Sequence, residues 1–320
     1  MKRLLSLTTA VLLGSGTALA TEWDMPTPYG DKTFHTANII EFAKDVSEAT
    51  GGKLNITVHS AGSLIKHPEI KNAVRGQQVQ IGEFFLSRLS NEDAAYGLDS
   101  QPFVATSYDD AEKLWAAQKP VITELLAKQR LIPLFSVPWP PQGLYTRNEI
   151  QTIDDLKGLK FRAYNAALEK FSALAGAAPT QVEAADIPQA FSTGQVEAMI
   201  TSPSTGANTK AWDFVSHYYP INAWVPKNIV VVNKAVFDAL DPDVQESVLA
   251  AAATAETRGW AMSREETEAK TAELVANGMN VITPSDELLD GLRNIGDQMQ
   301  TSWQESASDE AKAIAEAFNQ

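Results

Sequence analysis

The sequence predicts an α/β fold organised around one long helix, and three observations predict it. Leu54-Asn55-Ile56-Thr57-Val58 and Leu159-Lys160-Phe161-Arg162-Ala163 alternate apolar and polar residues with the period of half-buried strands. Segments with apolar positions at helical spacing separate such strands, and helices alternating with short strands imply parallel α/β layers. Helical periodicity then persists from Asp241 to about Asn277, and roughly 36 residues at about 1.5 Å each make a rod of roughly 54 Å. A rod of that length can brace two lobes.

The N-terminus has the three parts of a secretory signal peptide over residues 1–20. Met1-Lys2-Arg3 is basic, Leu4 to Leu13 is apolar, and Ala18-Leu19-Ala20 fits a cleavage site that leaves Thr21 first. The apolar run is too short for a stable anchor, and no later stretch reaches the ~20 apolar residues of a membrane span. The mature chain is therefore expected to be exported, soluble and not inserted in the membrane. It contains no cysteine, which argues against a lipid anchor, disulfides and thiolate metal sites. About 300 residues bury a large enough core without such staples. Removing Lys2 and Arg3 from the 26 basic residues leaves 24 against 40 acidic, a net charge of −16. Nucleic acid is not expected as a partner, because phosphate binding needs clustered Lys and Arg.

Taken in order, Phe34 to Thr50 places Ile39, Ile40, Phe42, Ala43 and Val46 at helical spacing, and Gly51-Gly52 stops it. A strand follows at Leu54–Val58, a helix at Ile70–Val74 ending near Gly76, and a strand at Val79–Phe85. Ser107 and Asp110 cap the next helix. Leu131 to Val137 is a buried strand that runs into Pro138-Trp139-Pro140-Pro141-Gln142-Gly143, where three prolines enforce a stiff, extended segment. Thr152 caps a helix of one to two turns that delivers the chain to the Arg162 strand. Ile229-Val230-Val231-Val232 is apolar throughout, as in a strand buried on both faces. Asp241 and Pro242 start the long helix and Gly278 ends it. Gly259, near its middle, either softens the helix by ~1 kcal/mol or makes room for a neighbour. Leu288 to Ile314 adds one or two terminal helices.

The alternation at Leu159, Phe161 and Ala163 turns Lys160, Arg162 and Tyr164 to the opposite face. A strand-borne guanidinium is a planar fork that matches a carboxylate bidentately, although a surface pair with an Asp is equally compatible. Nothing points to catalysis: there is no nucleophile elbow, P-loop or dinucleotide fingerprint. His35, His59, His67 and His217 share no ligand spacing, and the acidic pairs Asp154-Asp155 and Glu265-Glu266 suit helix starts and exposed faces. No enzyme activity, cofactor or metal is expected.

Three further pieces follow one another at fixed spacing: Gly158-Leu159-Lys160-Phe161-Arg162, then Gly176-Ala177-Ala178-Pro179-Thr180, then Asp186 leading into Ala190-Phe191-Ser192-Thr193-Gly194. Gly51-Gly52-Lys53 and Gly62-Ser63-Leu64 add to the pattern. In this order they resemble the substrate-binding proteins of TRAP (tripartite ATP-independent periplasmic) transporters, from about Trp23 to the C-terminus. The resemblance implies a two-lobed periplasmic binding protein fold with a hinge, the long helix bracing both lobes. The lobes would be discontinuous, 21–139 with 228–267 and 140–227 with 268–320.

The same resemblance makes Arg162 the carboxylate clamp and Asn165 a residue whose amide hydrogen-bonds the ligand. Gln142 stands where some members carry a second Arg, which implies one ligand carboxylate rather than two. Thr201 falls at a ligand-contacting Asn position, and Phe85 where members that take sugar acids place a Glu. Phe84, Phe85, Trp139, Tyr164 and Trp224 would form an aromatic pocket, with Lys227 and Asn228 beside the same cleft. The implied role is periplasmic capture of a small organic carboxylate, expected to be a monocarboxylate with an apolar or aromatic body or a 2-oxo acid. An ion-gradient-driven TRAP permease would receive it. The alternatives are a ligand-sensing partner of a membrane receptor and a periplasmic enzyme.

Overall fold

The computed structural model describes residues 20–319, so the expected signal peptide falls, apart from Ala20, outside the described residues. In chain order the elements are β1 (Thr21–Pro26), α1 (Phe34–Ala49), β2 (Leu54–His59), α2 (Ile70–Arg75), β3 (Ile81–Phe85), α3 (Tyr108–Ala127) and β4 (Leu131–Pro138). Next come β5 (Gly143–Thr146), β6 (Lys160–Ala163), α4 (Ala166–Leu174), β7 (Ala178–Gln181), α5 (Ile187–Ser192), β8 (Ala198–Thr201), α6 (Pro203–Asn208) and β9 (His217–Tyr219). The chain ends with β10 (Lys227–Asn233), α7 (Lys234–Asp238), α8 (Pro242–Ala276), β11 (Asn280–Val281), α9 (Asp286–Ser306) and α10 (Asp309–Phe318).

Two sheet systems form the two lobes. In the first, β1 pairs parallel with β2, and β10 lies between β3 and β4. Every residue of β10 is buried, as the unbroken apolar run requires, and each of its valines contributes about 1.5–3 kcal/mol by leaving water. Its pairing is antiparallel to both neighbours, which corrects the expectation of purely parallel layers. The reason is connectivity: β10 returns from the second lobe and is not delivered by a crossover helix, so the parallel rule for βαβ units does not apply to it. The second lobe holds a six-stranded mixed sheet in the order β11-β9-β5-β8-β6-β7.

The chain passes between lobes from β4 to β5 and again from β9 to β10. These two crossings are bonded to each other: the Trp139 amide donates to the Pro226 carbonyl at 2.7 Å, Gln142 to Trp224 at 3.0 Å, and Ala223 back to Gln142 at 2.9 Å. Helix α8 is a third connection. Val244, Val248 and Ala252 pack into the first lobe and Leu274 into the second. It begins at Pro242, is capped at Asn277 and stops at Gly278 with φ 91°. The helix is continuous through Gly259, where an added Cβ would lie 2.4 Å from Val137 Cγ2 and 2.7 Å from Asn38 Nδ2. Close packing therefore explains this glycine. Helix α10, expected with the second lobe, instead buries Ala311 and Ile314 with Leu114 and Trp115 of α3 in the first, because its two apolar positions complete that core. No helix among the described residues is long and apolar enough to cross a membrane.

Candidate functional site

Between the lobes lies a cleft lined by Tyr29, Phe85, Trp139, Arg162, Tyr164 and Glu183 among others. Its charged wall is built by β6. Phe161 and Ala163 are buried in the second-lobe core, so the pleat sends Arg162 to the other face, onto the cleft. Arg162 is 3% exposed, and its Nε donates to the Val182 carbonyl at 2.9 Å. That bond fixes the guanidinium and leaves both terminal nitrogens without a protein partner among the described residues. Burial brings its pKa down to about 10, which keeps it a cation at neutral pH. It stacks over the Tyr164 ring at 4.8 Å.

Tyr164 is itself held from two sides. Its hydroxyl accepts from Trp224 Nε1 at 2.9 Å and donates to Gln142 Oε1 at 3.1 Å, while Gln142 Nε2 donates to the Pro140 carbonyl at 2.7 Å. Phe85, from the opposite lobe, meets Tyr164 edge to face at 5.3 Å. The first lobe adds Trp139 and Tyr29, whose indole N–H and hydroxyl both donate to Asn228 Oδ1, at 2.9 and 3.2 Å. Asn228 in turn donates to Glu83 at 3.0 Å, and Thr27 donates to the other Glu83 oxygen at 2.6 Å. Burial would raise the pKa of Glu83, but the nearby His35, 3.5 Å away, and the bonds from Thr27 and Asn228 hold it below the ordinary value.

Three groups bridge the lobes beside the cleft. Glu183, between β7 and α5, accepts from Arg88 NH1 at 2.9 Å on one oxygen and pairs with His67 Nδ1 at 3.0 Å on the other. His67 Nε2 takes the Phe85 backbone N–H at 3.2 Å, so the ring proton resides on Nδ1 and the imidazole is neutral. Burial lowers the His67 pKa. Although burial raises the Glu183 pKa, the His67 bond and the nearby arginines bring it down to about 2. Farther along, Asn165 Nδ2 donates to Ser87 Oγ at 2.8 Å.

Of the residues singled out from sequence, Phe85, Trp139, Gln142, Arg162, Tyr164 and Thr201 come together on the cleft. Four others lie elsewhere. Phe84 follows the strand alternation to the far side of β3 and packs against Ile229 and Val231. Asn165 caps α4 by accepting from the Leu168 amide at 2.8 Å. Trp224 is core, edge to face with Phe171 at 5.9 Å, and Asn228 stands behind the aromatic wall. Lys227 also leaves the cleft: it and Asp99 are fully buried, 3.6 Å apart. Tyr29, His67, Glu183 and Arg88 were missed, for they come from separate loops and share no local pattern.

The model of the DctP family, bacterial extracellular solute-binding protein family 7, matches residues 28–309. The chain is similar to the structure of a Bordetella pertussis extracytoplasmic solute receptor binding pyroglutamic acid, at 44% identity and a TM-score of 0.92, covering 93% of this chain and 99% of that one. It is also similar to a marine metagenome TRAP solute-binding protein specific for pyroglutamate, at 42% identity and a TM-score of 0.91, covering 94% and 99%. A solute-binding protein of Albidiferax ferrireducens is 22% identical over 278 residues, 85% of this chain and 81% of the relative.

Proposed function

The chain belongs to family 7 of the bacterial extracellular solute-binding proteins, the substrate-binding proteins of TRAP transporters, and we propose that it captures pyroglutamate in the periplasm and delivers it unchanged to a TRAP permease. The observation that carries this reading is Arg162. It is the one permanent cation among the described residues lining the cleft, buried, with both terminal nitrogens free of protein partners. One guanidinium fork suits one carboxylate. Relatives at 42–44% identity bind pyroglutamate, a monocarboxylate whose compact lactam ring replaces the apolar or aromatic body expected from sequence. The aromatic walls suit the faces of such a ring.

Closure follows from the same charge. Without ligand, closing the lobes buries Arg162 with no carboxylate on its fork, and an uncompensated buried charge is costly. A bound carboxylate offsets that cost only in the closed state, so ligand shifts the population toward closure. In this reading residues 21–139 with 228–267 form one jaw and 140–227 the facing one, with the permease recognising the closed pair.

The test is a thermal-shift screen of mature protein, refolded to strip carried-over ligand, against pyroglutamate, 2-oxo acids, aryl carboxylates, dicarboxylates and sugar acids. Ligand at 100 times its Kd stabilises by about 2.7 kcal/mol, a readable shift for pyroglutamate. In calorimetry, Arg162→Ala is expected to lose about 2–5 kcal/mol of binding. Stabilisation by sugar acids or dicarboxylates alone would overturn the reading, as would unchanged affinity in Arg162→Ala.

A further inference from the structure

Resting on that reading, we propose that Glu183 determines ligand specificity by accepting the N–H of the bound ring, restricting the site to carboxylates that carry an N–H donor beside the carboxylate-bearing carbon. Among the described residues lining it, the cleft offers one permanent cation, Arg162, and one anion, Glu183. Arg162 Nε is fastened to the carbonyl of Val182, the residue preceding Glu183, so the anchor for the ligand carboxylate and the Glu183 carboxylate are neighbours along one wall. They sense each other's charge but form no ion pair within 4.0 Å, which leaves the guanidinium fork open to the ligand.

Glu183 can act only as an acceptor. Its bonds to Arg88 and His67 keep it ionised, and each carboxylate oxygen, having one protein donor, retains a further lone pair. His67 cannot substitute as a donor to ligand, since its single N–H is spent on Glu183 and its other nitrogen on the Phe85 amide. A ring oxygen or a second carboxylate at this place would face a negative charge in a partly dry cleft, whereas an N–H completes the acceptor. Because Arg88 and His67 belong to the opposite lobe, Glu183 is oriented for this only once the lobes have closed. Reading the N–H and closing the jaws are then one event.

Calorimetry with three ring acids tests the proposal: pyroglutamate, 5-oxotetrahydrofuran-2-carboxylate with oxygen in place of N–H, and 3-oxocyclopentane-1-carboxylate with CH₂ there. Wild type is expected to prefer pyroglutamate by at least about 100-fold, as sites built to bond a polar group reject analogues lacking it. In Glu183→Gln the preference over the lactone should shrink to less than about 10-fold, because the amide rotates to donate to the ring oxygen. His67→Asn, which loosens the bridge but keeps the carboxylate, should weaken all three ligands and preserve their ratio. A ratio unchanged in Glu183→Gln, or wild type that binds the three alike, overturns the proposal. Binding of none of them overturns the pyroglutamate reading, and this proposal with it.

Discussion

His67 and Glu183, on opposite lobes, meet at 3.0 Å through a neutral imidazole, the Phe85 amide having taken the other ring nitrogen. The Phe85 bond, which fixes the ring for this bridge, therefore depends on His67 staying unprotonated. A second proton would break the Phe85 bond and place an imidazolium against a backbone N–H.

The sign of the pH dependence follows. Burial depresses the His67 pKa in the closed state relative to its ordinary 6.5, so the closed state gains its full advantage above that value and loses it as pH falls below. Arg162 at about 10 and Glu183 at about 2 hold their charges from pH 8 to pH 5. Pyroglutamate affinity measured over that range should decline below about pH 6.5, and His67→Asn should flatten the profile. His35, also depressed by burial, makes fold stability fall in the same window, which is why affinity is the quantity to follow. A flat wild-type profile would remove His67 from the bridge.

Asn228→Leu should weaken the first-lobe wall without touching ligand. Its amide oxygen takes both Trp139 and Tyr29, and its nitrogen satisfies Glu83. Leaving those buried groups unpaired is expected to cost about 1–3 kcal/mol each before relaxation. Urea unfolding should show a loss of at least that size, and no loss would mean that water replaces the amide.

Lys227 and Asp99 are wholly buried, burial pushing the lysine pKa down and the aspartate pKa up. Asp99→Asn should destabilise by about 3–5 kcal/mol, because it strands a buried ammonium. Coupling it with Lys227→Met should recover much of that. A double variant as unstable as the single one would show that Asp99 matters through the Lys227 amide it accepts at 2.9 Å.

Gly259→Ala separates two accounts of the long helix. Alanine favours a helix by ~1 kcal/mol, so a glycine kept only for softness would give way to a more stable protein. With Val137 at 2.4 Å from the new methyl, overpacking should prevail and destabilise by about 1–3 kcal/mol. A raised Tm would contradict the packing account.

How much was legible in sequence depended on whether the cause was local. The α3 capping box of Ser107 and Asp110 and the bounds of α8 were readable, since caps and stops act within one turn. Arg162 could be aimed because strand alternation is a two-residue rule, and the same rule, had it been applied to β3, would have separated Phe84 from Phe85. Strand β1 was not recognised, although Trp23 and Met25 alternate on its buried face; six residues next to a signal peptide gave too short a pattern. Glu183, Arg88 and His67 could not be grouped at all, as 95 and 116 residues separate the first from the other two and only lobe closure unites them. Asn165 and Trp224 lie next to the site in sequence, but their side chains are used by a helix cap and a core.

The place of β10 between β3 and β4 has a consequence for how the polypeptide comes to be folded. The middle strand of the first lobe is supplied only after the entire first stretch of the second lobe has been synthesised, so the N-terminal 226 residues cannot by themselves complete that sheet. Pairing across such separations is slow. A newly made chain thus keeps the first lobe's sheet incomplete until its later part arrives.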